Sequence, residues 1–293
     1  MSADAAATGS TMTASTTGSG PEEDDGPPPL PPGADLAPGY QVVGHIRRGN
    51  DLDVYDLWSE ERACRCVGKT PRDDRLDKAA TTRHLKREGR LLKSFTHPHL
   101  VRAYETLTQP RLIVFLETLP GETLSHLIDA WQRRLPIAQI AHLGLHLCSA
   151  MHYLHGQGYL HIDLKPSNII ASAGVAKVLD LSLARRPGRA PRGIGTLGYQ
   201  APEQITGQPL TAATDVWGIG AVLYVAATGE DPIDVDSSDA EDRAEMIVIA
   251  PEPIQRHRRV PVAFRAIVEE CLAADPAARP SIADLTTSLH AIV

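Results

Sequence analysis

His161-Ile162-Asp163-Leu164-Lys165-Pro166-Ser167-Asn168 is the stretch on which the reading of this chain turns. It directly follows a segment in which Ile140, Leu143, Leu147, Met151 and Leu154 recur at three- and four-residue steps. That spacing is the apolar stripe of a long helix, with Pro136 at its first position and Gly156 and Gly158 at its end. Twelve residues beyond Asn168 comes Asp180-Leu181-Ser182, and after it Gly195-Thr196-Leu197-Gly198-Tyr199-Gln200-Ala201-Pro202-Glu203. A lone Asp or Lys on a loop is ordinarily just solvated, but an ordered set such as this is not a coincidence of composition. Phosphoryl transfer explains it. That reaction needs an acceptor hydroxyl in line, metal to neutralise phosphate, and little covalent help. Asp163 can hold and deprotonate the hydroxyl, Lys165 can balance charge on the moving group, and Asn168 and Asp180 offer hard oxygen ligands suited to magnesium.

The region resembles the catalytic, metal-binding and substrate loops of eukaryotic-type, bacterial-like serine/threonine protein kinases. The Lys165-Pro166-Ser167-Asn168 run and the Gly195-Thr196 pair are similar to the Ser/Thr-specific branch. The resemblance extends from Tyr40 to Val293 and implies an α+β, bilobal protein kinase-like fold. A small antiparallel-sheet lobe would span about residues 39–118, and a mainly helical lobe about 119–293. The local patterns agree. Tyr40 to Trp58 reads as two strands joined at Gly49-Asn50, Cys64 to Thr70 as a third, Arg102 to Thr106 and Arg111 to Leu116 as two more, and residues 78–95 as a charged helix. Helices then dominate, near Thr214 to Thr228, Pro261 to Leu272 and Ser281 to Ile292. A sheet lobe followed by a helical lobe leaves a cleft between them.

Further roles follow from the resemblance. Lys69 in Cys66-Val67-Gly68-Lys69 is similar to the lysine that grips the nucleotide's α and β phosphates, and Glu88 to its acidic partner. Leu116 stands at the gatekeeper position, with backbone groups of Glu117 and Leu119 at the adenine edge. Ile46, Gly49, Val54, Val67 and Ile170 complete the ATP pocket. Val67 stands where the family usually has Ala. Asp215 resembles the residue that anchors the catalytic loop. Glu203 and Arg279 resemble a buried ion pair holding the substrate loop, where Thr196 also lies. ATP and Mg2+ are the implied cofactors, and protein Ser/Thr hydroxyls the implied acceptors.

The pattern is broken in three places. The family would put glycines at positions 47, 49 and 52, where this chain has Arg47, Gly49 and Leu52. Glycines let backbone N–H groups approach phosphate. Asp51 and Asp53 add negative charge near that loop, which Arg47 and Arg48 can offset. Leu181-Ser182 replaces the usual Phe-Gly after the metal-binding Asp. Leu181 still fits an apolar slot beneath the charged helix, and Ser182 takes a positive φ less freely than Gly. Ile162 replaces the Arg that reads an activating phosphate, and residues 183–195 contain no Ser, Thr or Tyr. The two absences agree: this segment is not a phosphorylation switch. It does carry Arg185, Arg186, Arg189 and Arg192, which form either a solvated basic loop or a dock for an acidic substrate or for the chain's own acidic residues 22–25.

Composition bounds the rest. The chain has 293 residues, and residues 1–38 hold six carboxylates and no Lys or Arg, so they account for most of the formal net charge of -7. This Ala/Ser/Thr/Gly-, acid- and then Pro-rich stretch reads as a disordered tail. The near-neutral remainder does not read as a nucleic-acid binder. Cys64, Cys66, Cys148 and Cys271 fit no zinc or redox spacing. No apolar run reaches the ~18–20 residues of a membrane helix, and no signal-peptide pattern opens the chain. The expectation is a cytoplasmic enzyme without a membrane partner. The alternative is a pseudokinase, a nucleotide-binding scaffold, favoured by the poor glycine loop and by Leu181-Ser182 after Asp180. A small-molecule kinase is disfavoured by the substrate loop at 195–203.

Overall fold

The computed structural model describes residues 26–130, 134–233 and 251–293. Strands of alternating burial build its first half: β1 (Asp35–Ala37), β2 (Tyr40–Arg48), β3 (Leu52–Ser59) and β4 (Cys64–Pro71), then, past the helix α1 (Ala79–Ser94), β5 (Ala103–Leu107) and β6 (Ile113–Glu117). They form one six-stranded sheet in the order β1-β2-β3-β4-β6-β5, with antiparallel neighbours throughout. The two-residue period sends Tyr55 and Leu57 of β3 to an outer core with Tyr40, Val42, Cys66, Ile113 and Phe115. It sends Val54 and Asp56 to the opposite face. On the α1 side of the sheet, Leu85 and Leu92 join Val114 in the main core. The turn after β2 closes with Gly49 N–H donating to Leu52 O at 2.8 Å.

The structure corrects the boundary of the expected tail. Residues 1–25, including the acidic run 22–25, lie outside the described residues. From Gly26 on the chain is already part of the fold. Leu36 and Ala37 are buried, Leu30 packs on the same outer core, and the Leu30 N–H donates to Tyr55 Oη at 3.1 Å. These apolar side chains give the Pro-rich stretch enough buried surface to be ordered, which composition averaging hid.

The second half is mainly helical: α2 (Leu124–Ala130), α3 (Ile137–Gly156), α4 (Pro202–Thr206), α5 (Ala212–Thr228), α6 (Val262–Cys271) and α7 (Ile282–His290). The stripe Ile140, Leu143, Leu147, Met151, Leu154 is buried on α3. Pro136 is the residue before its first turn, with ψ 141, and its carbonyl accepts from Ile140 N–H; it stands one place earlier than the spacing implied. From Thr214 to Thr228 every residue of α5 is buried, as befits a helix apolar all round. Thr211 caps its start and Gly229, at φ +81°, its end. Three short strands, β7 (Glu122–Thr123), β8 (Ile169–Ser172) and β9 (Val175–Val178), form a second antiparallel sheet that the periodicity did not reveal. At two to four residues they are too short to show alternation.

Candidate active site

Between the two sheets lies a cleft of about 520 Å³. It is lined by Ile46, Gly49, Val54, Val67, Lys69, Glu88, Leu116, Glu117, Leu119, Asp163, Lys165, Asn168, Ile170 and Asp180. The structure thus brings together the catalytic, nucleotide and metal residues expected from the sequence. Thr196, Glu203, Asp215 and Arg279 do not line it, and their contacts are described below. A second cavity of similar volume lies between α2, α3 and the β8–β9 hairpin. Its walls carry no carboxylate and no lysine, so it does not suit phosphate chemistry.

Lys69 projects from β4 to meet both oxygens of Glu88 on α1 at 2.9 Å, and Asp180 Oδ2 at 2.9 Å. Burial alone would lower the Lys69 amine, but Asp180 and Glu88 outweigh it and hold it above its ordinary range. Of the two carboxylates sharing this amine, Glu88 is pushed up to about 7 by burial and then by the charge of Asp180. Asp180 is also opposed by burial, yet Lys69 and a donated hydrogen bond from Ser182 N–H (2.7 Å) hold it well below the usual carboxylate range. The amine is therefore a fixed cation, and Asp180 a fixed anion, on the cleft floor.

Asp163 lines the same cleft. Its Oδ1 accepts from Thr196 Oγ1 at 2.7 Å, and Oδ2 lies 3.5 Å from Lys165 Nζ. Lys165 donates to Thr196 Oγ1 at 2.5 Å. Asn168 Nδ2 donates to Asp163 O (3.0 Å) and Oδ2 (3.2 Å), which turns its amide oxygen away from these partners.

The loop that holds these groups is clamped from below. Asp215, in the first turn of α5, accepts from His161 N–H (2.9 Å), Ile162 N–H (2.7 Å) and His155 Nε2 (2.7 Å). Ile162 sits at φ +61°, a strained setting for a β-branched residue. Two features over-determine it: the Asp215 clamp on its amide, and a small apolar cluster in which its side chain joins Leu160 and Leu210, with Leu183, Ala190 and Ile194 packed around. Gln204 Nε2 donates to both Ile162 O and Ile194 O at 2.8 Å, and Gln200 Nε2 to Gly193 O at 2.7 Å. Glu203 and Arg279 form a bidentate, fully buried pair at 2.7 and 2.8 Å. The Gln200 and Gln204 amides and His155 were not singled out from the sequence, where nothing separates them from other polar residues. Gly89 was also missed. An isolated glycine inside a helix is a packing signal, and here it lets α1 approach Thr106 and Val114.

The charge at the glycine-poor loop is compensated. Arg48 binds Asp53 through Nε and Nη2 at 2.9 and 3.0 Å, and His45 adds a contact at 3.0 Å. Asp51 accepts from Lys78 (2.7 Å) and Thr81 (2.8 Å). Arg47 takes no part in these pairs; it remains exposed and lines the cleft. Leu181 is buried in the main core, as its apolar character implied.

A profile described as the protein kinase domain matches residues 40–290. The chain belongs to the protein kinase domain family. It is 29% identical over 261 residues to serine/threonine-protein kinase PknD of Mycobacterium tuberculosis, covering 86% of this chain and 39% of that protein. It is 31% identical over 203 residues to serine/threonine-protein kinase PknB of Mycobacterium leprae, covering 65% of this chain and 32% of that protein. A third relative is the DNA damage-responsive serine/threonine-protein kinase RqkA of Deinococcus radiodurans, 28% identical over 266 residues with 86% and 39% coverage. The chain thus spans well under half the length of these relatives.

Proposed function

We propose that this chain transfers the γ-phosphoryl group of ATP to a Ser or Thr hydroxyl of a protein. The observation that carries the reading is the pairing, across one cleft, of the Lys69–Glu88–Asp180 cluster with Asp163, itself held by Lys165, Thr196 and Asn168. The names of the relatives, all serine/threonine-protein kinases, support it.

The residues present fit both ATP and magnesium. Leu119 lines the cleft, and its backbone N–H and C=O make no hydrogen bond among the described residues. Val54, Val67, Leu116 and Ile170 supply apolar walls for a flat base beside it. The N–H of Glu117 is already used by Arg102 O at 3.0 Å, so only its carbonyl is offered to the base. No cluster of three or more His, Cys, Asp or Glu side chains among the described residues could cage a metal alone. That suits magnesium, which keeps waters and takes one or two carboxylates plus phosphate. Asp180 and the amide oxygen of Asn168 would hold it, and when bound it would neutralise phosphate charge.

The chain's own groups do the rest. Lys69 orients the α and β phosphates. Asp163 accepts a hydrogen bond from the acceptor hydroxyl, aims its oxygen and takes its proton as that oxygen bonds to the γ-phosphorus and the bond from the γ-phosphorus to the β-phosphate oxygen breaks, releasing ADP. Lys165 sits beside the oxygens where charge accumulates. Thr196 fixes the distance between Asp163 and Lys165. Asp215 and Gln204 hold the loop backbone so that these distances do not drift. We place this work in the cytoplasm, where ATP is abundant and the four free cysteines stay reduced. Among the described residues no helix is long and apolar enough to cross a membrane.

The test is incubation of the full chain and of Asp163→Asn with γ-labelled ATP, magnesium and a mixed Ser/Thr peptide library, alongside calorimetry of ATP-magnesium binding to both. Label transferred by the wild type alone, with binding kept in both, is the expected result. Equal label in both proteins, or in neither, overturns the reading.

A further inference from the structure

Elsewhere on this protein's described surface, several exposed cations stand beside carboxylates, while Arg47, Arg102, Arg134 and Arg259 are exposed singly without such a partner among the described residues. Lys78 pairs with Asp51, Arg65 with Asp56, and Arg256 with Glu252. One face gathers such cations in number. Along α1, Arg83, Lys86, Arg87, Arg90 and Lys93 each have another of the set three or four residues away, and the only carboxylate of the helix, Glu88, is buried on Lys69. Like charges at that spacing repel. On the segment after Asp180, Arg185, Arg186, Arg189 and Arg192 add four more. None of these nine side chains has a carboxylate partner among the described residues, although the chain carries a net charge of -7.

The two groups are one surface. Arg87 Nη1 donates to Ala184 O at 3.3 Å. Arg186 lies over the Tyr159 ring at 5.5 Å, and that ring is 5.7 Å from Phe95, the residue that caps the end of α1. His84, between Arg83 and Arg87, is held below its ordinary value by burial and then by those two arginines, a local sign of the positive field.

We propose that the outer face of α1 and the basic segment 185–192 form a docking surface for an acidic stretch of the protein substrate. The inference rests on the kinase reading and names the substrate class for it. The geometry connects the surface to the chemistry: Arg192 is four residues from Thr196, whose hydroxyl touches Asp163. A 16-residue helix is ~24 Å long, and about seven extended residues match it. Carboxylates close to the acceptor would meet Arg189 and Arg192, and those further along would meet α1. The occupant comes from another molecule. The chain's own acidic run leads into Gly26 and Leu30, and Leu30 is tied to Tyr55 on the sheet face opposite α1.

The experiment measures binding without turnover, so its failure is separable from failure of the kinase reading. Two labelled 15-residue peptides, each with one central Ser, are titrated with the full chain by fluorescence anisotropy. One carries Asp and Glu around the Ser, and the other carries Asn and Gln at the same positions. The acidic peptide is expected to bind at least ~10-fold tighter at about 50 mM salt, with most of that advantage gone at about 300 mM. The triple variant Arg83→Glu/Lys86→Glu/Arg90→Glu and the double variant Arg186→Glu/Arg189→Glu are each expected to lose the preference. Both should phosphorylate the neutral peptide at the wild-type rate, and show a raised KM with unchanged kcat on the acidic one. Equal affinity for the two peptides, or a preference that survives both variants, overturns the proposal. So does tighter binding of poly-uridine RNA than of the acidic peptide. So does acidic-peptide binding that emerges only after deletion of residues 1–25, which would assign the face to the chain's own acidic run.

Discussion

Replacing Gly89 by Ala tests how the fold sets the chemistry. Gly89 lies inside α1 beside Glu88. A Cβ there would stand 2.4 Å from Thr106 Oγ1 and 2.9 Å from Val114 Cγ2, so helix and sheet must part by roughly 1 Å to restore contact distance. Overpacking of this kind costs about 1–3 kcal/mol, against a gain of about 1 kcal/mol in helix propensity. The net loss of stability is small, near 0–2 kcal/mol by that balance. The functional loss is larger. Glu88 moves with the helix, and its 2.9 Å contact with Lys69 would open toward 4 Å. A displacement of that size lowers turnover by about 100-fold. Thermal melting and steady-state transfer to a Ser/Thr peptide, run on the same preparations, separate the two effects. Thr106 Oγ1 is buried without a hydrogen-bond partner among the described residues, so Thr106→Ala costs little by itself and should restore part of the rate in the double variant. Gly89→Ala at the wild-type rate would refute the reasoning, because α1 would then have yielded without carrying Glu88 away.

Two further outcomes follow from buried polar groups. Arg279→Ala leaves Glu203 as an unpaired carboxylate 2% exposed; breaking such a pair costs about 3–5 kcal/mol, or a melting point lower by roughly 10 °C for a domain this size, and a calorimetric scan with no change would contradict it. His146 is held down to about 4 by burial and then by His99 and His142, so the folded ring stays neutral while the unfolded one takes a proton below its ordinary 6.5. Stability should therefore be full above pH ~6.5 and fall as pH drops toward ~4, by about 1–2 kcal/mol once the ring's partial exposure is allowed for; in urea titrations across that range, His146→Gln should show a flatter profile than the wild type.

Much of the site was legible because its residues are chemically specific and clustered in sequence. Asp163, Lys165 and Asn168 lie within six residues, and Asp180 follows at a fixed interval. The long helices were legible because their stripes repeat over four turns or more. What stayed hidden depended on partners far along the chain. The pairing of Lys78 with Asp51, which relieves the negative charge at the glycine-poor loop, joins residues 27 apart. The Gln204 amide reaches back 42 residues to Ile162 O. The ordering of residues 26–38 turned on two or three leucine-sized contacts within a stretch whose average composition reads as disordered. Strands of two to four residues left no period to read.

Ile162 and its neighbours bear on how the protein is controlled in time. Residues 183–195 are held by hydrocarbon and by two side-chain carboxamides, with Arg87 adding a hydrogen bond to Ala184 O. The hydrocarbon and the carboxamides neither ionise nor carry a phosphate. A phosphatase finds no hydroxyl to act on within residues 183–195. The arrangement of residues 183–195 is thus supported by packing within the fold, with no phosphate of their own to hold it.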